Sequence, residues 1–279
     1  MKILIIDRDE MFSNLLASKM RAAGHDVVTT TIKNEGIEQI GTTRLDAVYF
    51  DPSPLTDPKP ILLQIRRMVH TYPYLCMLSE HADRRAGIAA GCNDGLAKPL
   101  DPAAVSSSLE NAVRMCDLIN RIGDETYDFP SAGGVISKSA FNQLFRSAID
   151  RVSRYEETAK ALFISIPNYD DIKIDDGKYA ADYAVSKLAQ TLVRLRRQSD
   201  IIAQTGESEF ALLLQRPQTP TESLDAAKRF SAAMDGQADI TSTGVSDLKI
   251  DVSLIDFPSG ALDFHHSSVI RGQGSASAG

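Results

Sequence analysis

The chain has 279 residues, which is enough for about two domains that each bury a core. Its formal net charge of −7 argues against a nucleic-acid partner, because neutralising phosphates needs clustered Lys and Arg. The three cysteines are far apart and form no C-x-x-C pair, so we expect reduced thiols rather than a disulfide framework or a zinc site. The apolar run at the start is too short for a signal peptide, and no other run has the length of a membrane span. We therefore expect a cytoplasmic protein without membrane insertion.

Residues 1–117 alternate short apolar runs with amphipathic segments, which is typical of a parallel sheet covered by helices on both faces. Predicted strands lie at residues 2–6, 26–29, 46–50, 74–78 and 95–97. A helix over 9–23 that ends at Gly24 is predicted from apolar residues at helical spacing, namely Phe12, Leu15, Leu16 and Met20. Functional groups of such a sheet collect at the carboxyl ends of its strands, where the sequence places Asp7, Asp51, Ser79 and Lys98.

This arrangement resembles the receiver domain of bacterial response regulators. The strings that carry the resemblance are Asp51-Pro52, Leu78-Ser79 and Leu96-Ala97-Lys98-Pro99, each at the end of a predicted strand. The resemblance implies a flavodoxin-like doubly wound α/β fold with Asp51 as the phosphoacceptor. It also implies that Mg²⁺ and Lys98 neutralise the phosphoryl charge, that the Ser79 hydroxyl binds the phosphoryl group, and that Pro99 follows a cis peptide bond. A sensor histidine kinase or a phosphotransfer protein is the implied partner.

One departure from the receiver pattern concerns the acidic pair that holds Mg²⁺, which here reads Asp7-Arg8. A permanent cation stands where a carboxylate ligand is expected, so metal binding by Asp7 and Asp51 should be weak. One alternative is that Arg8 pairs with Asp51 or with its phosphoryl group, partly imitating the metal. Another is that Asp9 substitutes as the ligand.

A second departure is Gly95, which stands where many receivers have an aromatic residue that swings inward on phosphorylation. Glycine cannot make that switch. Two interpretations of Asp51 stay open, namely residual phosphorylation and an inherited polar group in a receiver-shaped interaction module that accepts no phosphate.

A long helix is predicted over 102–122, with Asp101 as its cap and Pro102 at its first position. It is either a plain final receiver helix or a coupling rod or homodimer contact. Because the helix is longer than a receiver sheet requires, residues 118–132 are assigned to a helical linker.

Residues 133–258 have a different pattern of elements. The predicted elements begin with a helix whose apolar face includes Phe141, Leu144 and Phe145, followed by a strand over 161–166 and a helix through Leu188. A hairpin, a helix from 219 to 234 and a strand over 250–254 come next. This order resembles the α+β, nucleotidyl cyclase-like fold of GGDEF domains. The specific part of the resemblance is the hairpin Gly206-Glu207-Ser208-Glu209-Phe210, in which two of the five motif letters are replaced.

The same resemblance implies that carboxylates on the first strand and on the hairpin hold two metals against GTP. Here Ser165 and Pro167 stand where the strand's Asp-x-Asp belongs, and Ser208 replaces the hairpin ligand. Glu207 replaces a small glycine and adds negative charge beside a triphosphate. The substrate positions read Lys173-Ile174 and Gly177-Lys178, with Asp182 left as a guanine contact, whereas Asp170, Asp171, Asp175 and Asp176 are expected in a solvated loop. We therefore expect a degenerate domain without diguanylate cyclase activity.

Arg197-Gln198-Ser199-Asp200 lies where the GGDEF family carries an Arg-x-x-Asp site for cyclic di-GMP. The resemblance implies that Arg197 binds a guanine edge and a phosphate while Asp200 accepts a hydrogen bond from guanine. The neighbouring arginine often found before the hairpin is Gln204. The alternative is that Arg197 and Asp200 form only a local ion pair at a helix end.

The sequence thus predicts a non-catalytic signalling response regulator or adaptor in two-component and cyclic di-GMP pathways, whose second domain binds either cyclic di-GMP or a downstream protein partner. One alternative is a phosphorylation-regulated diguanylate cyclase that makes cyclic di-GMP from GTP. Another is a scaffold that binds no nucleotide. Residues 259–279, rich in Gly, Ser and Ala, are expected to be a disordered tail.

Overall fold

The structure is a computed structural model that describes residues 1–55, 57–68, 72–80, 83–123, 127–129, 133–155, 157–215, 222–235, 248–257 and 260–270. The chain divides into two compact units. The first comprises Met1–Asn120, Ile149–Thr158 and Phe257–Ala261, and the second comprises Arg121–Ala148, Ala159–Asp256 and the chain from Leu262 onward. None of the described helices is both long and apolar enough to span a membrane.

The main part of the first unit is a parallel sheet with helices between successive strands. Its elements are β1 (Lys2–Ile6), α1 (Glu10–Ala22), β2 (Asp26–Thr30), α2 (Lys33–Thr42), β3 (Ala47–Phe50), α3 (Lys59–Met68), β4 (Tyr74–Ser79), α4 (Arg84–Ala90), β5 (Asp94–Ala97) and α5 (Pro102–Gly123). The strand order β2-β1-β3-β4-β5, with parallel pairs, confirms the predicted flavodoxin-like doubly wound fold.

The central strands of this sheet, β1, β3 and β4, are mainly apolar because helices cover both faces, whereas the edge strand β2 is partly exposed and β5 begins with the polar Asp94. Residues 3–6 of β1 are all at most 2% exposed, and β3 and β4 are buried in the same way. The cysteines are free and buried, as predicted from their spacing. Helical stripes were predicted less accurately than strands, since Leu15 in α1 is 52% exposed although Phe12, Leu16 and Met20 beside it are buried.

A buried polar network joins α5 to the sheet. The Tyr74 hydroxyl donates to Asp94 Oδ2 over 2.8 Å and accepts from Asn111 Nδ2 over 3.1 Å. Asp94 Oδ1 accepts from the N–H of Gly95. Burial, followed by the charge of Asp94, raises the pKa of Tyr74 far above its usual value. The phenol is therefore a neutral link that holds α5 against β4 and β5.

The elements that follow α5 are α6 (Lys138–Tyr155), β6 (Ala159–Ser165), α7 (Tyr169–Asp175), α8 (Lys178–Leu195), β7 (Ile201–Gly206), β8 (Glu209–Leu214), α9 (Glu222–Asp235), β9 (Leu248–Phe257) and β10 (Gly260–Ile270). Their sheet has the order β10-β9-β6-β8-β7, and β8 pairs antiparallel with both β6 and β7. A core that includes Leu162, Leu188, Phe210 and Phe230 lies on this sheet. The α+β architecture predicted for the second domain is confirmed.

Two expectations about the second domain were wrong. Asp170, Asp171 and Asp175 lie in helix α7, not in a loop, because Tyr169 and Ile172 give that segment a buried side. The predicted disorder of 259–279 does not hold for Gly260–Ile270, which forms β10 next to β9. An edge strand needs backbone pairing more than a core of its own, and that pairing is not readable from composition. Residues 271–279 lie outside the described residues.

The predicted linker over 118–132 is only partly described. Its first part is the end of α5, which continues to Gly123, while 124–126 and 130–132 lie outside the described residues. The predicted start of α9 at residue 219 is also outside them.

Candidate functional sites

The first candidate site is at the carboxyl ends of β1, β3 and β5, where parallel pairing brings distant residues together. Asp7 follows β1, Asp51 follows β3 and Lys98 follows β5. The Lys98 ammonium lies 2.6 Å from Asp7 Oδ2 and 2.6 Å from Asp51 Oδ2, so it bridges the two carboxylates. Its Nζ is also 4.6 Å from the centre of the Phe12 ring. The sequence-predicted charged cluster is therefore present.

The site shifts the pKa values of Asp51, Asp7 and Lys98 in different ways. Burial opposes ionisation of Asp51, but hydrogen bonds from Lys98 and Ser53 outweigh it and lower the pKa of Asp51. At Asp7, which is only 2% exposed, burial prevails over the bonds from Lys98 and the Asp9 N–H and raises the pKa. Burial alone would lower the pKa of Lys98, yet the two carboxylates raise it. Lys98 is thus a firmly protonated cation between the two acids.

Lys33 is a member of this site that the sequence reading missed. Its Nζ donates over 2.9 Å to the carbonyl oxygens of Pro52 and Ser53, the two residues after Asp51. Burial and then the charge of Arg8 lower the pKa of Lys33, and Asp51 acts in the opposite direction. The sequence alone does not indicate this lysine, because its contact depends on the fold of the parallel sheet, which puts the start of α2 beside the end of β3.

Arg8 and Asp9 directly follow the bridged carboxylate Asp7 in the chain. Within the part of the chain that the structure describes, Arg8 is exposed and makes no ion pair with Asp51. Asp9 is the N-cap of α1, and its Oδ1 accepts from the Phe12 N–H over 3.0 Å. Asp9 therefore stabilises the helix start in this structure.

Mg²⁺ does not fit the donor set of this site as it stands. Mg²⁺ takes oxygen ligands, and the facing oxygens of Asp7 and Asp51 are both used by the Lys98 ammonium. Among the described residues, no group of three or more Asp, Glu, His or Cys side chains is placed to hold a metal ion.

Ser79 and Gly95 complete the predicted receiver residues. Ser79 ends β4, and its carbonyl oxygen accepts from the Lys98 N–H over 3.1 Å. The Lys98–Pro99 peptide bond is cis, as predicted. Gly95 faces the start of α4 so closely that a Cβ there would overlap the carbonyl oxygen of Asp83. The space for a swinging aromatic side chain is therefore taken up by the backbone of α4.

The second candidate site is the hairpin formed by β7 and β8. Its turn is bonded to the neighbouring strand β6 through Ser208, whose carbonyl oxygen accepts from the Ile166 N–H over 3.1 Å. The Ser208 hydroxyl donates to the Ile166 carbonyl over 3.4 Å. Gln204 Nε2 donates to the carbonyl oxygens of Gly206 and Glu207 and so closes the turn. The serine and the glutamine thus stabilise the hairpin through backbone groups.

Two other hairpin residues carry carboxylates. Glu209 pairs with Ser165 across β8 and β6, and its Oε1 accepts from Arg121 Nη1 over 2.8 Å within the second unit. Glu207 is exposed and adds negative charge near Tyr169. Phe210, the last motif residue, is a buried core side chain.

The remaining predicted guanine contact, Asp182, is already bonded. Its Oδ1 accepts from the Tyr169 hydroxyl over 3.0 Å, and its Oδ2 is 3.7 Å from Lys178 Nζ. Burial and then Asp182 raise the pKa of Tyr169 to about 12. Ile174 is 80% exposed, so α7 presents an apolar side chain where the family pattern has a polar one.

Arg197 and Asp200 lie together at the turn between α8 and β7, but they play different parts. Asp200 is 4% exposed, and its two carboxylate oxygens accept from the N–H groups of Arg197 and Gln215 over 3.3 Å and 3.2 Å. Arg197 has a half-exposed side chain whose Nη1 pairs with Glu222 of α9. Asp200 therefore shapes the turn, while Arg197 is presented on it.

Comparison with known proteins finds separate similarities for the two parts of the chain. The model of the family described as "Diguanylate cyclase, GGDEF domain" matches residues 131–255. The alkaline phosphatase synthesis transcriptional regulatory protein PhoP of Bacillus subtilis (strain 168) is 26% identical over 120 residues, covering 42% of this chain and 50% of PhoP. The chain thus spans about half the length of the curated relatives it matches.

Two solved structures resemble the two parts. The GGDEF domain of YfiN (TpbB) from Pseudomonas aeruginosa has a TM-score of 0.37 and 20% identity, covering 43% of this chain and 74% of that chain. The chemotaxis response regulator CheY4 of Vibrio cholerae has a TM-score of 0.35 and 20% identity, covering 40% of this chain and 97% of its own.

Proposed function

We propose that this chain, which is a response regulator receiver domain followed by a GGDEF domain, is a non-catalytic signalling adaptor. The architecture links two-component signalling to cyclic di-GMP. The observation that carries the proposal is the contact between Ser208 and Ile166, which ties the hairpin turn to the end of β6 by hydrogen bonds.

This contact lies where the family resemblance puts metal-binding carboxylates. Ser165 and Ser208 offer hydroxyl groups, which are weaker ligands for Mg²⁺ than carboxylates. Glu209 is partly neutralised by Arg121, so it is not available as an unpaired anionic ligand. The hairpin therefore keeps the fold of a cyclase without the means to hold the two metals of GTP.

Electrostatics at the same place oppose a triphosphate. Glu207 and Asp170 add negative charge near the Tyr169 phenol, beside the Tyr169–Asp182 hydrogen bond. A nucleotide without compensating metal ions would meet like charge there. Repulsion and missing ligands point in the same direction, toward a domain that acts by binding.

The input partner we propose is a sensor histidine kinase or a phosphotransfer protein, because the Asp51 cluster retains the charged groups of a receiver. The output partner is a protein that contacts the second domain. In this proposal α5, which continues to Gly123, transmits a change in the receiver domain to the second domain.

Cyclic di-GMP binding through Arg197 is a second candidate function. It is favoured by the half-exposed guanidinium that the Asp200 turn presents. The nucleotide would have to displace Glu222 from Arg197, and Asp200 would act by positioning because both its oxygens are bonded to backbone N–H groups. We expect binding weaker than in a site where both side chains are available.

Incubation of the whole chain with GTP and Mg²⁺ or Mn²⁺ tests the main proposal. We expect no cyclic di-GMP, and formation of that product at multiple turnovers would support the alternative, a diguanylate cyclase. Calorimetric titration with cyclic di-GMP tests the second candidate. Binding that is weakened in Arg197→Ala but not in Arg194→Ala, which changes an exposed arginine in the last turn of α8, would support it. The absence of heat on titration with cyclic di-GMP would support the alternative of a scaffold that binds no nucleotide.

A further inference from the structure

We propose that the Asp51 site accepts a phosphoryl group without a divalent metal ion, with Arg8, Lys33 and Lys98 supplying the positive charge. The proposal extends the response regulator role given above. It starts from the disagreement between this donor set and Mg²⁺.

The first step concerns the space between the carboxylates. Lys98 Nζ lies 2.6 Å from an oxygen of Asp7 and 2.6 Å from an oxygen of Asp51. A metal bound by these two oxygens would take the position of the ammonium, and the residue after Asp7 is Arg8, which cannot act as a carboxylate ligand. The ammonium therefore already neutralises the pair.

The second step concerns Lys33, which is anchored beside the phosphoacceptor. Two of its three ammonium hydrogens are directed to the carbonyl oxygens of Pro52 and Ser53, at 2.9 Å each. Lys98 donates one hydrogen bond to Asp51 Oδ2 and forms an ion pair with Asp7 Oδ2. Each lysine thus retains a donor for an oxygen of an incoming phosphoryl group.

The third step is the charge balance. Arg8, Lys33 and Lys98 bring three positive charges to a centre whose bridged carboxylates, Asp7 and Asp51, bring two negative ones. Asp9 is directed to the start of α1 as its N-cap. With Asp9 counted, the positive and negative charges of the centre balance, so the protein's own cations neutralise its carboxylates without a divalent ion.

The chemical step needs only a donor with a phosphorus–nitrogen bond, such as phosphohistidine or phosphoramidate. A carboxylate oxygen of Asp51 attacks phosphorus, an O–P bond forms and the P–N bond breaks. The nitrogen leaves with the electron pair of that bond and takes up a proton from solvent. No oxidation or reduction occurs, and the three cations stabilise the charge on the transferring oxygens.

The test uses the whole chain, phosphoramidate and intact-protein mass spectrometry, with either EDTA or Mg²⁺ present. We expect the same rate of phosphoryl addition in both, and no addition in Asp51→Asn. A requirement for Mg²⁺ would overturn the proposal. So would the absence of addition in both conditions together with no heat on titration with inorganic phosphate.

Three variants identify the source of the charge. Lys33→Ala and Arg8→Ala should each slow addition in EDTA about tenfold, the effect of losing one charge-assisted hydrogen bond. Lys19→Ala, which changes a lysine in the last turn of α1, is the matched control and should leave the rate unchanged. Arg8→Asp should make the reaction dependent on Mg²⁺, because it restores a carboxylate ligand. Unchanged rates in both alanine variants would contradict the assignment.

Two further readouts keep the outcomes separate. Heat from inorganic phosphate that persists in Asp51→Asn, without a mass increase in the wild type, would identify the ligand as free phosphate. The cations would then still form a phosphate-binding site, but phosphorylation of Asp51 would be contradicted. Thermal unfolding of each variant identifies a loss that is due to misfolding, and the GTP assay of the same sample reports on the second domain independently.

Discussion

The Asp51 cluster and the hairpin at Ser208 both occupy places where the family resemblances put metal ions, and they depart from those patterns in opposite ways. At Asp51 the carboxylates remain and protein cations surround them. At Ser208 the carboxylates are replaced by a hydroxyl that bonds to the neighbouring strand. A metal position is thus abandoned either by replacing the ion or by replacing its ligands. Only the first route leaves a centre with charged, reactive groups.

Removing Lys98 should have the largest effect, because it leaves two carboxylates facing each other in a buried place. We expect Lys98→Met to destabilise the first unit by about 3 kcal/mol, as when one partner of a buried ion pair is lost. Ser208→Ala should cost the second unit only about 0.5–1 kcal/mol for one hydrogen bond. Hydrogen exchange of the amides in β1 and β8 measures each unit separately. Equal losses would contradict the contrast between the two sites.

Adding one methyl group should distinguish the two regions next. Gly95→Ala forces a Cβ into the carbonyl of Asp83, and we expect a loss of about 2–3 kcal/mol from overpacking. Gly206→Ala meets the flexible side chain of Glu209 at 3.2 Å, which can move, so we expect a loss of less than about 1 kcal/mol. Urea unfolding followed by exchange of β5 and β7 amides measures both. A small loss of stability in Gly95→Ala would show that this position has room for a side chain, which contradicts the packing described here.

The Arg-x-x-Asp turn offers a smaller contrast inside the second unit. Asp200→Ala leaves the N–H groups of Arg197 and Gln215 without their acceptor, and we expect a loss of about 1–2 kcal/mol. Arg197→Ala removes a half-exposed ion pair with Glu222 and should cost about 0.5 kcal/mol. Thermal unfolding without nucleotide measures these losses. If Asp200→Ala were neutral for stability, its carboxylate would be available to a ligand after all.

The smallest expected effect is on the pH dependence of stability, and it involves the ion pair between Lys160 and Asp256 in the second unit. Lys160 Nζ lies 3.4 Å from Asp256 Oδ2, and burial raises the pKa of Asp256 above its usual value of 3.8 despite that partner. The folded state therefore favours the protonated acid. Protonated Asp256 makes its full contribution to stability below pH 3.8, and this contribution decreases as the pH rises through the raised pKa.

Asp256→Asn removes this titration, so its free energy of unfolding should decline less than that of the wild type from about pH 4 to pH 6. Unfolding in urea at a series of pH values measures the difference. Lys160→Met is the companion variant, and it should steepen the decline because it removes the cation that favours the charged acid. A steeper decline in Asp256→Asn would reverse the assigned sign.

In residues 1–117 the strands were predictable with bounds accurate to about one residue, because apolar runs between turn signals report burial directly. In the second domain β9 is longer at both ends than the predicted 250–254, and β10 was not predicted. Helical stripes were predicted less well, and Leu144 in α6 is 41% exposed although Phe141 and Phe145 beside it are buried. Which edge of a stripe reaches the core depends on how the helix lies on its sheet. The buried link from Asn111 to Tyr74 and Asp94 could not be inferred, because its residues are far apart in the chain.

The sequence by itself determined which residue types are present at each site. It placed Asp7, Asp51 and Lys98 at strand ends, and it placed serines where metal ligands belong. Those conclusions depend on local order along the chain, which sequence records directly.

Only the tertiary structure decided what the charged groups do. It joined Lys33 to the site of Asp51, assigned Asp9 to the helix cap, and bonded both oxygens of Asp200 to backbone N–H groups. Hydrogen bonds and charge interactions depend on distances of a few ångströms between atoms. Those distances follow from strand order, helix placement and burial, and residues distant in the chain acquire them only when the whole domain folds.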